Sequence, residues 1–327
     1  MKFIVTGGAG FIGHNVVRQL ESQGHECIVI DCLTDYGFIS GSELEYLVGE
    51  RKNRINARVH EVDIRDFKIV DIMFHEYGHS VDAVIHLASF PRQKACSKHP
   101  VWAAQVMAPS LINLLELTVK YKIPKFVYIS SSMVYGDFYN DVTEDSVCNP
   151  IGQYGIMKYM GERLVEDYSR RGCFDHVIIR PSAVYGPHDV EDRVVSKFML
   201  DAIRNNTLKV NGATEVLDFT YVDDTVQGIV LATTKSQANN KIFNITRSDI
   251  NLNTLKSAAE LAISIAGSGS LEIGDRDTAF PKRGRLSIDR ARKELDYNPT
   301  VTIEQGFRKY YEWILESCYW QEKLNEK

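Results

Sequence analysis

The chain has 327 residues, 44% of them hydrophobic and 25% charged, with 38 Lys and Arg against 43 Asp and Glu. That mix excludes a largely disordered chain, and a net charge of −5 gives no long-range pull toward a phosphate backbone, so no nucleic-acid partner is expected. No apolar run reaches the roughly 20 residues that cross a bilayer, so no membrane partner is expected. The six scattered cysteines, without a C-x-x-C pair, read as reduced thiols of a cytoplasmic protein and not as metal ligands.

Met1 to Ile12 is apolar but broken by glycines, with no small-residue cleavage site, so it fails as a secretory signal. Phe3-Ile4-Val5 predicts a short buried strand. Ile12, Val16 and Leu20 recur on one helical face, which Gly24 closes. Further strands are predicted at Cys27 to Ile30, Val59 to Val62, Val81 to Leu87, Phe126 to Ser130 and Val177 to Arg180. Helices are predicted between them, including Val101 to Lys122 and Gln153 to Arg170. Short apolar strands alternating with helices predict an α/β fold: a parallel sheet, covered on both faces, with right-handed crossovers.

After Pro181 the regularity loosens. Gly186-Pro187 and Asn211-Gly212 mark turns. Helices are predicted at Val194 to Arg204, Leu252 to Ala266 and Thr302 to Glu316. The expected division is residues 1–180 and a smaller mixed α/β lobe over 181–327, with chain partly returning to the sheet near 217–246.

Gly7, Gly10 and Gly13 form G-x-x-G-x-x-G between the first strand and the first helix. The first permits a sharp turn, the second close approach of backbone to a pyrophosphate, the third tight helix packing. The helix N-terminus, at Phe11 and Ile12, then offers unpaired N–H groups to phosphates. Asp31 lies 18 residues past Gly13, at the end of the second strand. A carboxylate there accepts hydrogen bonds from an adenosine ribose and repels a 2′-phosphate, so NAD is the expected cofactor.

Tyr154 and Lys158 stand four apart on a predicted helix. An ammonium beside a phenol, together with a cationic nicotinamide ring, is expected to lower the phenol's pKa by about 1–3 units. The phenol then takes a proton from a sugar hydroxyl as hydride leaves the same carbon. Spacing alone carries little weight, since Tyr121 and Lys125 share it across Pro124. Position separates Tyr154: it follows a strand ending in Ser130-Ser131-Ser132, whose hydroxyls either orient the reacting oxygen or cap their own turn.

These residues resemble the extended short-chain dehydrogenase/reductase family, in its NAD-dependent nucleotide-sugar epimerase/dehydratase branch, and specifically its 4-epimerase-like members. The matching pieces run along nearly the whole chain: TGGAGFIG at 6–13, Asp31, Asp63-Ile64, His86-Leu87-Ala88, SSSMVYG at 130–136, Tyr154 with Lys158, RPSAVYGP at 180–187, LDFTYVDD at 217–224, and the tail from Arg283 to Pro299. The resemblance implies a doubly wound Rossmann domain binding NAD, a smaller lobe closing over a nucleoside-diphosphate sugar (a UDP-sugar foremost), and a homodimer formed through helices near 101–120 and 153–170. By position, Ser131 is similar to the catalytic Ser/Thr, Tyr154 to the acid/base and Lys158 to the lysine that binds the nicotinamide ribose. Asp63 and Ile64 match the pair flanking adenine. Leu87, Ala88, Ser130 and Pro181 match cofactor-lining positions. Arg92, Ser132, Ala183, Val210, Leu217 and Arg283 match the substrate side.

Dehydratases and decarboxylases of the branch commonly carry Glu where this chain has Met133, and the dehydratases Asp where it has Ser132. A thioether cannot transfer protons, so epimerisation at C4 through a transient 4-keto sugar is implied over elimination. The alternatives are a 4,6-dehydratase or decarboxylase with relocated acids, or a non-catalytic NAD-binding protein. Ala183 and Gln105 stand where many relatives have Asn, and Leu217 where many have Arg. The changes at Ala183 and Leu217 remove polar contacts near the diphosphate. Arg283, next to Lys282 and Gly284, matches the family's Arg-x-Gly element. Arg92 either reaches a phosphate or a sugar carboxylate, or is a solvated loop arginine. His86 and the Asp223-Asp224 pair are read as structural, and the tail aromatics as packing for a terminal helix.

Overall fold

The computed structural model describes residues 1–90, 92–139, 141–249 and 253–325. One parallel sheet holds seven strands: β1 (Lys2–Thr6), β2 (Glu26–Asp31), β3 (Val59–Glu61), β4 (Ala83–His86), β5 (Lys125–Ile129), β6 (Asp175–Pro181) and β7 (Lys241–Ile245). Their order is β7-β6-β5-β4-β1-β2-β3. The direction of winding reverses between β1 and β4, which opens a crevice at their carboxyl ends, where such sheets bind ligands.

The alternation of side chains along each strand builds both layers. Phe3, Val5, Val29, Ile85, Val127 and Val177 join one core with Val16, Val17 and Leu20 of α1 (Phe11–Ser22). Ile4, Ile28, Ile30, Val84, Phe126 and Ile178 face the other way. There they meet α3 (Phe67–Tyr77) and α6 (Pro109–Lys120), α2 being Gly41–Asn53, α4 Gln93–Lys98 and α5 Pro100–Met107. The stretch expected as one helix over Val101 to Lys122 is thus two, α5 and α6. Proline lacks an N–H and crowds the preceding turn, so the helix breaks at Ala108-Pro109.

After α7 (Gln153–Arg170) come α8 (Val194–Ile203), α9 (Val222–Thr234), α10 (Leu255–Ala266), α11 (Asp289–Leu295), α12 (Ile303–Glu316) and α13 (Cys318–Asn325). Leu252, where the sequence places the start of α10, lies outside the described residues. Thr302 caps α12 in a reciprocal box with Gln305. Lys241 to Ile245 returns to the sheet in parallel register with β6, Lys241 opposite Val177. The tail aromatics do pack: Tyr319 stacks on Tyr46 of α2 at 4.4 Å, and the Tyr310 hydroxyl donates to Ser196 Oγ at 2.7 Å.

Tyr154, Lys158 and Glu162 form one stripe along α7. Glu162 is 1% exposed and takes a two-pronged ion pair from Arg180 of β6 (Nε–Oε1 2.9 Å, Nη2–Oε2 2.6 Å). Ser130 Oγ donates to the same carboxylate at 2.5 Å. Arg180 Nη1 also donates to the Tyr135 hydroxyl (2.9 Å) and the Glu144 carbonyl (3.1 Å), so one guanidinium ties helix, strand and turn together. Arg180→Met is expected to cost about 3–5 kcal/mol of unfolding free energy, because Glu162 would stay buried without its cation. Urea unfolding measures this, and a loss under about 1 kcal/mol would contradict it.

Candidate active site

The glycine turn is shaped by contacts that no side chain fits. Gly7 has φ +73, and a Cβ there would lie 2.5 Å from Ala88 N. A Cβ on Gly13 would lie 2.0 Å from Gly7 O. Leu87 N and Ala88 N both donate to Thr6 O at 3.0 Å, which fixes the β4 exit against the turn. Gly10 caps α1 with no side-chain hydrogen bond, and the first turn carries no acid. Its N–H groups and the macrodipole are therefore available to an anion.

Asp31 stands across from this turn, accepting from Ala9 N (3.0 Å) and Leu33 N (2.9 Å). Burial pushes its carboxyl up, and those two N–H groups pull it back. No positive side chain follows it at Cys32 or Leu33. A glycine cradle, a bare helix N-terminus and a ribose-facing carboxylate fit the pyrophosphate and adenosine of NAD. Asp63 is clamped by Arg65 (Nη2–Oδ2 2.5 Å), whose hydrogen bonds hold its carboxyl below the usual range. Ile64 is buried, and its carbonyl accepts from Asn113 Nδ2 at 3.2 Å.

Tyr154 opens α7 beside the turn that follows β5. Gly155 permits this approach: a Cβ there would lie 2.6 Å from Met133 O. Gln93 Oε1 accepts the Tyr154 N–H at 3.2 Å and so caps the helix start. Ser131 Oγ accepts from Met133 N at 3.2 Å, and its hydroxyl also acts on the Tyr154 phenol. The serine therefore both caps its turn and addresses the phenol. Ser132 and Met133 are buried. Ser130's hydroxyl is committed to Glu162.

Lys158 Nζ donates to Ile129 O at 2.8 Å and lies 5.8 Å from the centre of the Tyr154 ring. Burial lowers its ammonium to about 8. Burial likewise pushes the Tyr154 phenol up to about 12. The depression expected from Lys158 is thus not present in the protein alone: the phenol is raised, with desolvation its largest cause. Arg193, absent from the sequence reading, is the foremost group pulling the phenol back, with Ser131 behind it. His86 bonds Thr6 Oγ1 through Nδ1 at 2.7 Å, and burial drops it to about 3, so it stays neutral and structural.

The substrate-side positions divide. Ala183 has φ 38, in the left-handed region that an asparagine tolerates better than an alanine. Its carbonyl accepts from Thr220 N at 3.2 Å, joining Val184–Tyr185 to Thr220–Tyr221. Pro181 ends β6 opposite Ile245. Val210 (1% exposed) and Leu217 (7%) belong to the apolar core, so their side chains offer shape and no polar hold on a nucleotide. Arg92 is not a solvated loop residue: at φ 70 it ion-pairs with Asp192. Arg283 is pushed down to about 10 by burial, with Glu215 opposing and Arg193 reinforcing. The loop over 186–193 is held to the first lobe by Arg51, which donates to His188 O at 2.7 Å, and by Glu43, which accepts from Glu191 N at 2.7 Å.

Fold and site together define a doubly wound dinucleotide-binding protein whose α7 carries a partly buried Tyr154 beside a buried Lys158. Residues 3–246 match the NAD dependent epimerase/dehydratase family, and the chain belongs to that family. Its cofactor is NAD, which the glycine cradle and Asp31 fit. The chain is 28% identical to a UDP-glucuronate 4-epimerase of Thermodesulfobacterium geofontis, over 96% of each chain. It is 27% identical to a dTDP-glucose 4,6-dehydratase of Salmonella typhimurium, over 98% of this chain and 94% of that one. It superposes on a UDP-glucose 4-epimerase of Thermotoga maritima, solved with UDP-glucose, with a TM-score of 0.85 and 27% identity. That match covers 97% of this chain and 99% of the other.

Lys158 carries a pH signature. Burial holds its ammonium at about 8, below the ordinary lysine value of about 10.4, so between those pH values the unfolded chain binds more protons and stability rises with pH. Urea unfolding of the wild type and of Lys158→Met at pH 7.5 and 9.5 is expected to show the wild type gaining on the variant. A constant difference would mean the ammonium is not desolvated.

Proposed function

We propose that the protein is an NAD-dependent epimerase of a nucleoside-diphosphate sugar, acting at C4, with a UDP-sugar as substrate. The observation that carries this is the Ser131–Tyr154–Lys158 grouping beside the glycine turn, with buried Met133 where elimination needs an acid. NAD supplies the hydride acceptor and returns the hydride. Tyr154 takes the C4 hydroxyl proton and later gives it back. Ser131 orients the sugar oxygen. Lys158, anchored to Ile129 O, holds the cofactor's ribose and adds positive charge near the phenol. The second lobe, with Arg283, holds the diphosphate.

A second reading, a dehydratase, is favoured by the similarity to the Salmonella enzyme. NMR of the protein with UDP-glucose or UDP-glucuronate separates the two: a C4 stereoisomer is expected, and water loss or carbon dioxide release would contradict the proposal. Tyr154→Phe is expected to lower kcat at least about 100-fold while retaining NAD. Unchanged turnover in that variant would remove the phenol from the mechanism.

A cytoplasmic location is part of this reading, supported by the free cysteines; no helix among the described residues is long and apolar enough to cross a membrane. The homodimer expected through helices near 101–120 and 153–170 is part of this reading, and exposed Val101 (69%), Ile112 (41%) and Ile156 (52%) on α5, α6 and α7 are in keeping with it. Light scattering at micromolar concentration is expected to give twice the chain mass, and Ile112→Glu with Ile156→Glu to halve it. A monomeric wild type would refute the assignment.

A further inference from the structure

The first turn of α7 has no cap of its own. Its N-cap position is Gly152, at φ 80 and ψ 156, a backbone conformation that only glycine adopts without strain. Serine, threonine or aspartate, the usual caps, would be strained there, and the first turn carries no acid. The helix must therefore find an acceptor for its leading N–H groups elsewhere. It finds one in Gln93, the first residue of α4, whose Oε1 accepts from Tyr154 N at 3.2 Å.

The acceptor is held in place. Gln93 is 6% exposed, and its Nε2 donates to Ser97 Oγ at 3.4 Å, which orients the amide with its oxygen toward α7. A Cβ on Gly152 would lie 1.7 Å from that Nε2, so glycine at 152 also opens the space the amide fills. Arg92, the residue before, is tied to Asp192. Ala95 and Cys96 of the same short helix belong to a small apolar core against which Tyr154 and Met157 pack. Tyr154 is thus met twice from this side, at its N–H by Gln93 and at its side chain by that core.

The identity of the residue matters as much as its place. A helix N-terminus favours an anion, so a glutamate would be the stronger cap. A carboxylate bonded to the Tyr154 N–H would also oppose ionisation of the same residue's phenol. Glutamine offers the acceptor without the charge. We propose that Gln93 is a positioning residue for Tyr154: it fixes the start of α7, and with it the phenol, and does so without adding charge. This rests on the epimerase reading above, in which that phenol carries the proton.

The test uses the NAD-loaded full-length protein with UDP-glucose and UDP-glucuronate. Gln93→Met keeps a side chain of similar length and loses the acceptor. It is expected to lower kcat at least about tenfold at every pH, since a displacement of about 1 Å can cost about 100-fold, with KM and NAD retention within about twofold of wild type. Gln93→Glu restores the acceptor and is expected to recover kcat at high pH, with the acid limb of the profile moved to higher pH. A Gln93→Met kcat within about twofold of wild type overturns the proposal, as does a joint loss of kcat, KM and NAD retention that Gln93→Glu does not recover at any pH. Amide hydrogen exchange of the holoprotein judges the cap apart from turnover. The Tyr154 N–H is expected to be protected in wild type and in Gln93→Glu, and unprotected in Gln93→Met. Equal protection in Gln93→Met overturns the proposal. Absence of turnover in the wild type counts against the epimerase reading and not against the cap, which the exchange result then decides.

Discussion

The placement of the reacting phenol depends on a salt bridge that never meets it. Glu162 and Arg180 are buried beneath α7, 1% and 3% exposed, and their pairing sets the distance from the helix to β6. Burial alone would weaken the guanidinium's charge, and the Glu162 hydrogen bonds more than restore it. Ser130 and Tyr135 join the same network, so the turn bearing Ser131 is fixed by the contacts that fix α7. A buried pair of this kind adds little to net stability compared with apolar packing. What it adds here is register: Tyr154 stands two turns up the stripe from Glu162.

That placement carries an electrostatic consequence. The same burial that orders the stripe disfavours charge on it, raising Tyr154 and lowering Lys158. At rest the phenol keeps its proton. The foremost group pulling the phenol back is Arg193, with Ser131 behind it.

The fold was legible where a local pattern dictates it. Apolar runs in β1, β2 and β5 alternate strictly between two cores, and the glycine spacing admits one turn geometry. Tyr154 and Lys158 were legible because helical periodicity and strand-end serines coincide in one stretch of chain. Other features are written only in three dimensions. Arg193 lies 39 positions from Tyr154, in a loop with no periodic signal, and nothing local marks it. Arg180 stood inside a recognised motif, yet its partner Glu162 becomes visible only when the stripe Tyr154, Lys158, Glu162 is extended by one more turn. Val210 and Leu217, whose positions match substrate contacts, have side chains in the apolar core, so any contact with substrate there is one of shape. The break between α5 and α6 is a local signal that Pro109 carries, since proline ends one helix and starts the next.

The chemistry open to the site is narrowed by what occupies the turn after β5. Water loss from C5 and C6 needs a group that donates a proton to the departing hydroxyl, placed next to the catalytic serine. Ser132 and Met133 fill those places and are 2% and 6% exposed. Glu162, the acid on the same helix stripe, is buried and locked in its pair with Arg180. Glu144 is spent on the Asn244 N–H at 2.8 Å. On the proposed reading, a 4-keto sugar beside Tyr154 would meet no acid from Ser132 or Met133 in this turn, which favours return of hydride to the same carbon over elimination.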